Sequence, residues 1–556
     1  MMKNKNIQFS VNPQINKLLE TIVGEVTHFT ENQMRHIQKL AEIGIALSAE
    51  RDIHKIFEMI VEEARAFTHA DGGTLYIVDE KEKVLKFVIL QNDTLNIRLG
   101  GTSGKEITLP PVPLEVDGQP NFQNVSSYTA LTGEIVNIPD VYEADGFDFT
   151  GPRKYDQQTG YRSKSMLVIP MKNHEDEIIG VLQLLNAISP DNGEIVPFNP
   201  DDVDLITSLA SQAAVALENA QLIQDLQNLF YAFIQSIATA IDEKSPYTGG
   251  HIRRVVDLTM MIARAVNQVP EGPLAEIQFS PEELEELRIA TWMHDVGKIT
   301  TPEYVVDKST KLEGIFDRIE LIKLRFDLIQ QIIENQFLKK KMALLEKGNS
   351  EDEVRSLEEK LREIVATLRL EKEFVTRCNL PDETMSDEKI ALLKEIGHKS
   401  VEWNGKRIRY LTDEELHYLS IRRGTLTDEE RKIIQNHAMM SIKILSQLPF
   451  PKKLARVPEY AGGHHEKLDG SGYPLGLKEE QLPLQARIMA IADIFESLTA
   501  KDRPYKKPMK LSQALKILQQ MKDQKHIDPT IFDIFVRYKI YKRYAEKELS
   551  PDQIDS

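Results

Sequence analysis

His464-His465-Glu466-Lys467-Leu468-Asp469-Gly470-Ser471-Gly472-Tyr473-Pro474 decides how this 556-residue chain is read. Two adjacent histidines and a glutamate precede a glycine-rich turn and a Tyr-Pro pair. Neighbouring side chains on a regular helix point about 100° apart. Two such histidines share a metal site only where the backbone bends between them. Gly462 and Gly463 in front, and the turn behind, offer that freedom, so a bent, metal-ligating segment is expected here.

His294-Asp295-Val296-Gly297-Lys298 carries the next signal. It follows an amphipathic stretch, Pro281 to Trp292, whose spacing predicts a helix with Leu284, Leu287, Ala290 and Thr291 near one face. A histidine beside an aspartate offers a nitrogen to one ion and a carboxylate between two. Imidazole and carboxylate donors suit iron, manganese or similar divalent ions. Further candidates are His251 after Tyr247-Thr248-Gly249-Gly250, His437 in Ile433-Ile434-Gln435-Asn436-His437, and Asp493 in Ala490-Ile491-Ala492-Asp493-Ile494-Phe495. Asp493 interrupts an apolar helical run, where a carboxylate is costly unless paired or metal-bound.

Together these motifs resemble the HD-GYP family of cyclic dinucleotide phosphodiesterases. His251 with Arg254-Val255 fits the first histidine motif, and His294, Asp295, Gly297 and Lys298 fit the HD-x-GK core. Leu426-Thr427-Asp428-Glu429-Glu430 through His437 fits the third motif. Residues 464–474 match the HHExxDGxGYP signature at each fixed position, including Gly472, Tyr473 and Pro474. The resemblance covers roughly residues 225–312 and 424–545. It implies a two-metal site in which His251, His294, Asp295 and Asp493 hold one ion. Asp295 bridges to a second ion, held also by His437, His464 and His465. It implies that Asp295 and Lys298 serve catalysis, that Arg503 and Lys506 contact substrate phosphate, and that the 472–474 loop can contact diguanylate cyclase domains. Tyr247 stands where some members carry a carboxylate for a third ion. Two divalent ions, iron or manganese, are therefore expected, with Asp242 and Glu243 not far upstream should a third bind. The implied reaction is hydrolysis of cyclic di-GMP to pGpG, GMP or both. Hydrolysis of a hybrid cyclic GMP-AMP, and a receptor without turnover, are the alternatives.

A local duplication tests the third motif. Leu411-Thr412-Asp413-Glu414-Glu415 and Leu426-Thr427-Asp428-Glu429-Glu430 both read as capping boxes. Eleven residues after Leu426 lies His437; eleven after Leu411 lies Arg422, which cannot bind a cation. His417 and His526 lie outside the pattern and are expected to be structural.

The charge balance narrows the substrate class. With 69 basic and 86 acidic residues the net charge is −17, which disfavours long nucleic acid as a partner. A small dianion can still bind where metals and the basic cluster Arg503, Lys506, Lys507 and Lys510 collect. No apolar run approaches the roughly 20 residues needed to span a bilayer, and Met1-Met2-Lys3-Asn4-Lys5-Asn6 leads into polar sequence rather than a secretory core. The single cysteine, Cys378, suits a reducing compartment. A cytoplasmic protein without membrane contact is expected.

Upstream, residues 33–65 read as helix. The β-like runs Gly73–Val78, Leu85–Leu90, Ser165–Pro170 and Ile178–Leu185 follow, with a hairpin turn at Asn173–Asp176. Asn137-Ile138-Pro139-Asp140, Thr159-Gly160-Tyr161-Arg162 and Gly180–Asn186 resemble a GAF domain of the cyclic-nucleotide phosphodiesterase type. The Asn-Lys, Phe and Asp-Glu motif of nucleotide-binding relatives is reduced here to Asn186-Ala187, Phe198 and Asp202-Val203. Residues 203–241 place Ile206, Leu209, Ala213, Ala216, Ala220, Ile223, Gln227, Phe230, Ile234, Ile237 and Ile241 at alternating three- and four-residue steps, a heptad seam. A homodimer through the GAF and linker helices is expected.

Between Leu312 and Gly424 the family pattern is interrupted. Ile315–Lys347 and Glu351–Phe374 read as a helical hairpin about Gly348-Asn349-Ser350, with Ser350 and Glu353 as a capping box. Asp387–Ile396 reads as a helix and Trp403-Asn404-Gly405-Lys406 as a turn. The expected fold is thus multidomain: an N-terminal helical segment (1–37), an α+β GAF domain (38–220), and a linker helix (203–241). An all-α HD-superfamily domain (242–312 and 424–545) follows, carrying a mainly helical insertion (313–423).

Overall fold

A computed structural model describes residues 12–244, 250–347, 351–501 and 508–555. The chain divides into two units, Met1–Leu229 and Phe230–Ser556. The first is α+β, and the second is almost entirely helical.

In the first unit the sheet runs Ile97–Gly100, Val84–Asn92, Ala70–Asp79, Ile178–Ile188, Met166–Lys172, Val136–Ile138. Its ladders are antiparallel. Side chains alternate between faces along each strand. Leu167, Ile169, Met171, Leu182 and Leu184 face a core shared with helix Ile53–Thr68 and the start of helix Pro200–Asp242. Met166, Val168 and Val181 face a second cluster with Leu85, Leu114 and Phe149. Burial on both faces is why these strands read as continuous apolar runs. The Asn173–Asp176 turn forms as expected: the Asn173 carboxamide oxygen accepts the N–H groups of Glu175 and Glu177.

Two sequence expectations change here. The single helix read over 33–65 is two, Pro13–Ala49 and Ile53–Thr68. Glu50 accepts the N–H groups of Arg51 and Asp52, and Asp52 caps the second helix through the N–H of His54. These local acceptors end one helix and start the next. Nor do the apolar positions of Pro200–Asp242 form one continuous free seam. Ile206, Leu209, Ala213, Ala216 and Ala220 are buried in the first unit's own core, and Ile234 and Ile241 in that of the second. Between these buried ends every residue from Gln221 to Leu229 is exposed, with Leu222, Ile223, Leu226 and Leu229, and Phe233 beyond them, facing solvent.

Asn186 and Phe198, relics of the degenerate nucleotide motif, are buried structural residues. Asn186 adopts φ 56° at an irregularity in its strand. Its carboxamide accepts the Lys164 N–H at 2.7 Å and donates to the Arg162 carbonyl at 2.7 Å, holding the Thr159–Arg162 motif against the sheet.

In the second unit, helices His251–Val266, Pro281–Met293, Leu484–Thr499, Pro529–Arg537 and Ile540–Glu548 enclose one core built on Leu258, Leu287, Ile491, Phe495 and Phe535. Both Thr412 and Thr427 form the expected capping boxes. The insertion folds around a hydrophobic cluster of its own, including Phe326, Ile329, Leu368, Val375 and Leu393. Its helices are Ile319–Glu346, Glu351–Cys378 and Asp387–His398. Strands Ser400–Trp403 and Lys406–Arg409 meet at Asn404 and Gly405, both at positive φ as a two-residue hairpin requires. Ser350 of the expected capping box lies outside the described residues.

Replacing Asn186 with alanine removes two buried backbone partners and a residue tolerant of positive φ. We expect a loss of about 2–4 kcal/mol from the first unit's urea unfolding transition. A loss below about 0.5 kcal/mol would show that this loop is held by other contacts.

Candidate metal centre

Helix Pro281–Met293 starts at a capping box, Ser280 with Glu283, and delivers His294 and Asp295 at its C-terminal end. The chain then tightens into a 3₁₀ turn, Val296–Thr300. Lys298 therefore sits on this turn rather than on a continuing helix face, and its ammonium still meets Asp295 Oδ2 at 2.6 Å. Gly297 explains the tightness. A Cβ there would lie 1.9 Å from the His437 carbonyl oxygen and 2.6 Å from the Ser441 nitrogen. The Gly297 N–H donates to Ser441 Oγ at 2.9 Å, and that hydroxyl donates to the His294 carbonyl at 2.8 Å. The turn is thereby docked on helix Asp428–Leu445, which carries His437.

His464 and His465 follow the short helix Val457–Gly462. The role expected of Gly462 and Gly463, conformational freedom, is corrected here, because neither has positive φ among the described residues. They are small because space is short. A Cβ on Gly462 would fall 2.2 Å from Ile442 Cγ1, and one on Gly463 2.9 Å from Ala486 Cβ. Close packing, not a flexible bend, brings the two histidines in, with ring centroids 4.0 Å apart.

The imidazoles share one construction. Nδ1 of His294, His437 and His464 bonds the carbonyl three residues earlier, of Thr291, Ile434 and Ala461, at 2.7, 2.6 and 2.6 Å. A carbonyl only accepts, so Nδ1 carries the proton and Nε2 presents a lone pair. His251 Nδ1 donates instead to Glu496 Oε2 at 2.5 Å. Glu496 is fully buried and also accepts from Arg254 Nε at 2.7 Å.

The free edges converge on Asp295. His437 Nε2 lies 3.3 Å from its Oδ1 and His294 Nε2 3.2 Å from its Oδ2. His251 Nε2 lies 3.8 Å from that oxygen and 3.3 Å from Asp493 Oδ1. Nε2 of His294, His437 and His464, and Oδ1 of Asp295, are buried and make no hydrogen bond. Buried lone pairs left unpaired in this way are unusual without a ligand. Three overlapping sets have donor atoms within 4.8 Å of one another: His251, His294 and Asp493; His294, Asp295 and His464; His437, His464 and His465. Each sequence candidate for a metal ligand is thus brought to one place, and the donor set fits divalent metal ions with Asp295 between two subsites.

The electrostatics agree. Burial opposes charge on Asp295, but Lys298 and His294 hold its carboxyl well below the usual range. Asp493 is likewise held down against burial, by His251 foremost. Burial drives His464 well below its usual value and His465 down to about 3, keeping both neutral. For His251 burial is outweighed by Glu496 and Asp493, which push it up to about 10. The carboxylates thus draw positive charge inward, which a proton or a metal cation supplies.

Several contributors escaped the sequence reading. Glu466 is buried and accepts the N–H groups of Leu475 and Gly476 on Oε1 (2.7 and 3.0 Å) and of Leu477 on Oε2 (2.9 Å). It clamps the loop after Tyr473–Pro474, a cis peptide, while the Tyr473 ring packs on His465 at 4.7 Å. Its fixed place in the signature was the available clue. Glu496 stands one turn after Asp493 in an apolar helix, and that spacing could have found it. Lys244 donates to the carbonyls of Lys298, Ile299 and Thr301 at 2.9, 2.9 and 2.6 Å; nothing in sequence marked it. His526, expected to be structural, lines a cleft of about 330 Å³ with His465, Lys467, Tyr473, Asp493 and Ser497. Asp242 is buried, its carboxyl pushed up to about 6 by burial. His417 is exposed, as expected. Tyr247, Arg503 and Lys506 lie outside the described residues.

Comparisons with known proteins find matches in both parts of the chain. Residues 52–217 match the GAF domain family, and residues 248–371 and 413–531 match two HD domain families. The chain is 40% identical over 138 residues to a probable cyclic di-GMP phosphodiesterase of Vibrio cholerae serotype O1, covering 22% of this chain and 30% of that protein. It is 41% identical over 114 residues to 3'3'-cGAMP-specific phosphodiesterase 1 of the same organism (20% and 26% covered). It is 34% identical over 132 residues to a cyclic di-GMP phosphodiesterase of Thermotoga maritima (23% and 35% covered). The chain thus spans about a third or less of the length of these relatives. It carries a GAF domain followed by an HD domain with the HD-GYP signature, and the HD domain is of a metal-binding kind. Among the described residues no helix is long and apolar enough to cross a membrane.

Gly297→Ala forces a side chain onto the His437 carbonyl. We expect it to reduce bound metal, read by elemental analysis, by roughly tenfold or more, and to destabilise the second unit by about 1–3 kcal/mol. Unchanged metal content would show that the turn can be undocked without consequence.

Proposed function

We propose that this chain is a metal-dependent phosphodiesterase that hydrolyses cyclic di-GMP to pGpG, GMP or both. The observation that carries it is the convergence of seven donors on two subsites joined by Asp295, beside a lysine and an open cleft. The activities for which the relatives are named support the same chemistry. A binding-only receptor would not require the whole donor set. The relative named for 3'3'-cGAMP makes the hybrid dinucleotide the one competing substrate.

In this reading His251, His294 and Asp493 hold one divalent ion, iron or manganese, and His437, His464 and His465 the other, with Asp295 shared. Such a pair activates water and neutralises phosphate charge for in-line attack. The protein's own groups do the rest. The carbonyls of Thr291, Ile434 and Ala461 and the Glu496 carboxylate fix the imidazole tautomers. Lys298, paired with Asp295, places an ammonium where charge develops on phosphate and where the leaving oxygen needs a proton. Tyr473 and the loop clamped by Glu466 cover His465 on the cleft side. Arg503 and Lys506 are assigned to substrate phosphate from the sequence resemblance. Contact of the 472–474 loop with diguanylate cyclase domains, a homodimer through the GAF and linker helices, a third ion near Asp242, and a cytoplasmic location belong to the same proposal.

The test is direct. Anaerobically purified protein loaded with iron or manganese is incubated with cyclic di-GMP and, separately, with hybrid cyclic GMP-AMP, and products are resolved by chromatography. Turnover of the first substrate is expected; faster turnover of the hybrid would reassign the substrate, and none of either would sink the proposal.

Within that assay, Asp295→Ala should abolish both activity and bound metal. Lys298→Ala should keep metal while slowing turnover by roughly 10²-fold. Equal metal loss in both variants would refute this division of roles.

Control by the GAF domain through helix Pro200–Asp242 is proposed as well. Gln227 lies in the helix's exposed middle. One residue inserted there turns everything beyond it by about 100°, while seven nearly restore the face. Activity should fall with one and largely recover with seven; no change with either would make the helix a passive tether.

A further inference from the structure

The insertion carries a surface that its own core does not use. Helix Ile319–Glu346 buries Ile319, Ile322, Phe326, Ile329 and Ile332 along one face. At about 100° per residue the opposite face carries a second apolar row. Leu321, Leu324, Leu328, Leu338, Met342 and Leu345 are each between 46% and 65% exposed. With Gln331 and Asn335 between them, the eight positions step by three and four without a break. They are the a positions (321, 328, 335, 342) and d positions (324, 331, 338, 345) of a coiled coil. Single exposed leucines need no explanation; five leucines and a methionine in one heptad register do.

We propose that this face pairs, parallel and in register, with the same face of a second copy of the chain to form a two-stranded coiled coil. Two features choose that occupant. The first is charge. Parallel pairing sets each g residue against the e residue five positions on in the other copy. Glu334 then meets the second copy's Lys339, and Lys341 meets its Glu346. Lys341 also reaches Glu358 within its own chain at 2.6 Å. Glu320 would face Arg325, but that guanidinium is already spread over Glu415 at 2.7 and 3.0 Å, so this pair adds little. An antiparallel seam over the same layers brings Arg325 near Lys339 and Glu334 near its own counterpart, against a single favourable Asp327–Lys341 pair. The second feature is Asn335. A lone asparagine at an a position meets its own copy only in a parallel, in-register pair, where it fixes alignment and strand number. The Gln331 layer beside it is likewise polar, which weakens the seam's centre and leaves its apolar ends to supply burial.

Cross-linking of the full chain tests this. Cys378, the one cysteine, is 1% exposed inside the insertion's core and is replaced by serine. Asn335→Cys is then compared with Lys340→Cys, an exposed f position on the side of the helix away from the seam. At micromolar protein the 335 thiols should oxidise to a disulfide-linked dimer on the order of 100-fold faster than the 340 thiols, because pairing holds them at roughly millimolar effective concentration. Glu334→Lys should slow the 335 reaction roughly tenfold, and Glu334→Lys with Lys339→Glu should restore it. Dimerisation through any other surface does not reproduce that rescue. Equal rates at 335 and 340 would overturn the proposal. So would preferential cross-linking between Gln331→Cys and Asn335→Cys chains, the antiparallel result. Should Cys378→Ser unfold the insertion, the same comparison is made with the buried Cys378 retained.

Discussion

The carboxylate of Asp295 is the constraint on which the rest of the second unit depends. It is 3% exposed, yet four cationic or imidazole groups from three segments reach it: His251, His294 with Lys298 on either side of it in sequence, and His437. A buried carboxylate without such partners is expensive. The helices that carry them must therefore meet at one point, and their spacing must leave no room for a side chain at Gly297. The site and the fold are one requirement. Removing the carboxylate leaves several positive groups crowded together, and filling the Gly297 gap pushes apart the helices that bring them.

Around that point lies a layer whose task is orientation. Three histidines use the same device, an Nδ1–H given to the carbonyl three residues back, at the end of a helix or within it. Helix geometry supplies that carbonyl without a dedicated residue. His251 sits at the first position of its helix, and its Nδ1–H goes to a side chain instead. A carboxylate, Glu496, substitutes, and Arg254 on the same helix face neutralises it. The outermost part, the loop to Pro474, has no helix to hold it. Glu466 fastens it through three backbone N–H groups, the kind of charge-assisted contact that rigidifies an otherwise irregular segment.

What was legible in the sequence was what repeats or what is costly. Apolar strand runs, capping boxes, the Asn404-Gly405 turn and the donor residues each leave a local mark. What was not legible depended on which surface lay opposite. The three- and four-residue spacing of 206–241 looks the same whether it faces another chain or its own domain; the structure buries one face of each end in a separate core and leaves residues 221–229 exposed all round. Gly462 and Gly463 looked like a hinge because glycine in sequence signals freedom, whereas Ile442 and Ala486, distant in sequence, make them spacers. Lys244 acts through backbone carbonyls, which no side-chain pattern reveals.

The stretch from Asp295 to Lys308 is held from two sides. Lys244, just beyond helix Pro200–Asp242, grips the carbonyls of 298, 299 and 301. Lys308, at the threshold of the insertion, is buried against Glu430 at 2.7 and 2.9 Å, with its ammonium 4.4 Å from the Tyr418 ring centre. Glu430 is also the N3 residue of the capping box that begins the helix bearing His437. The linker helix and the insertion thus attach to the same short segment, and that segment holds both the shared carboxylate and the lysine beside it. Neither tether can shift alone. Moving the end of the linker helix either breaks three charge-assisted bonds to the 3₁₀ turn or carries the turn with it. The second course changes the distance from Asp295 to His437, because Gly297 leaves no slack against helix Asp428–Leu445. Under the proposed control by the GAF domain, this is the route by which a small rotation upstream reaches the donors, through contacts too tight to absorb it.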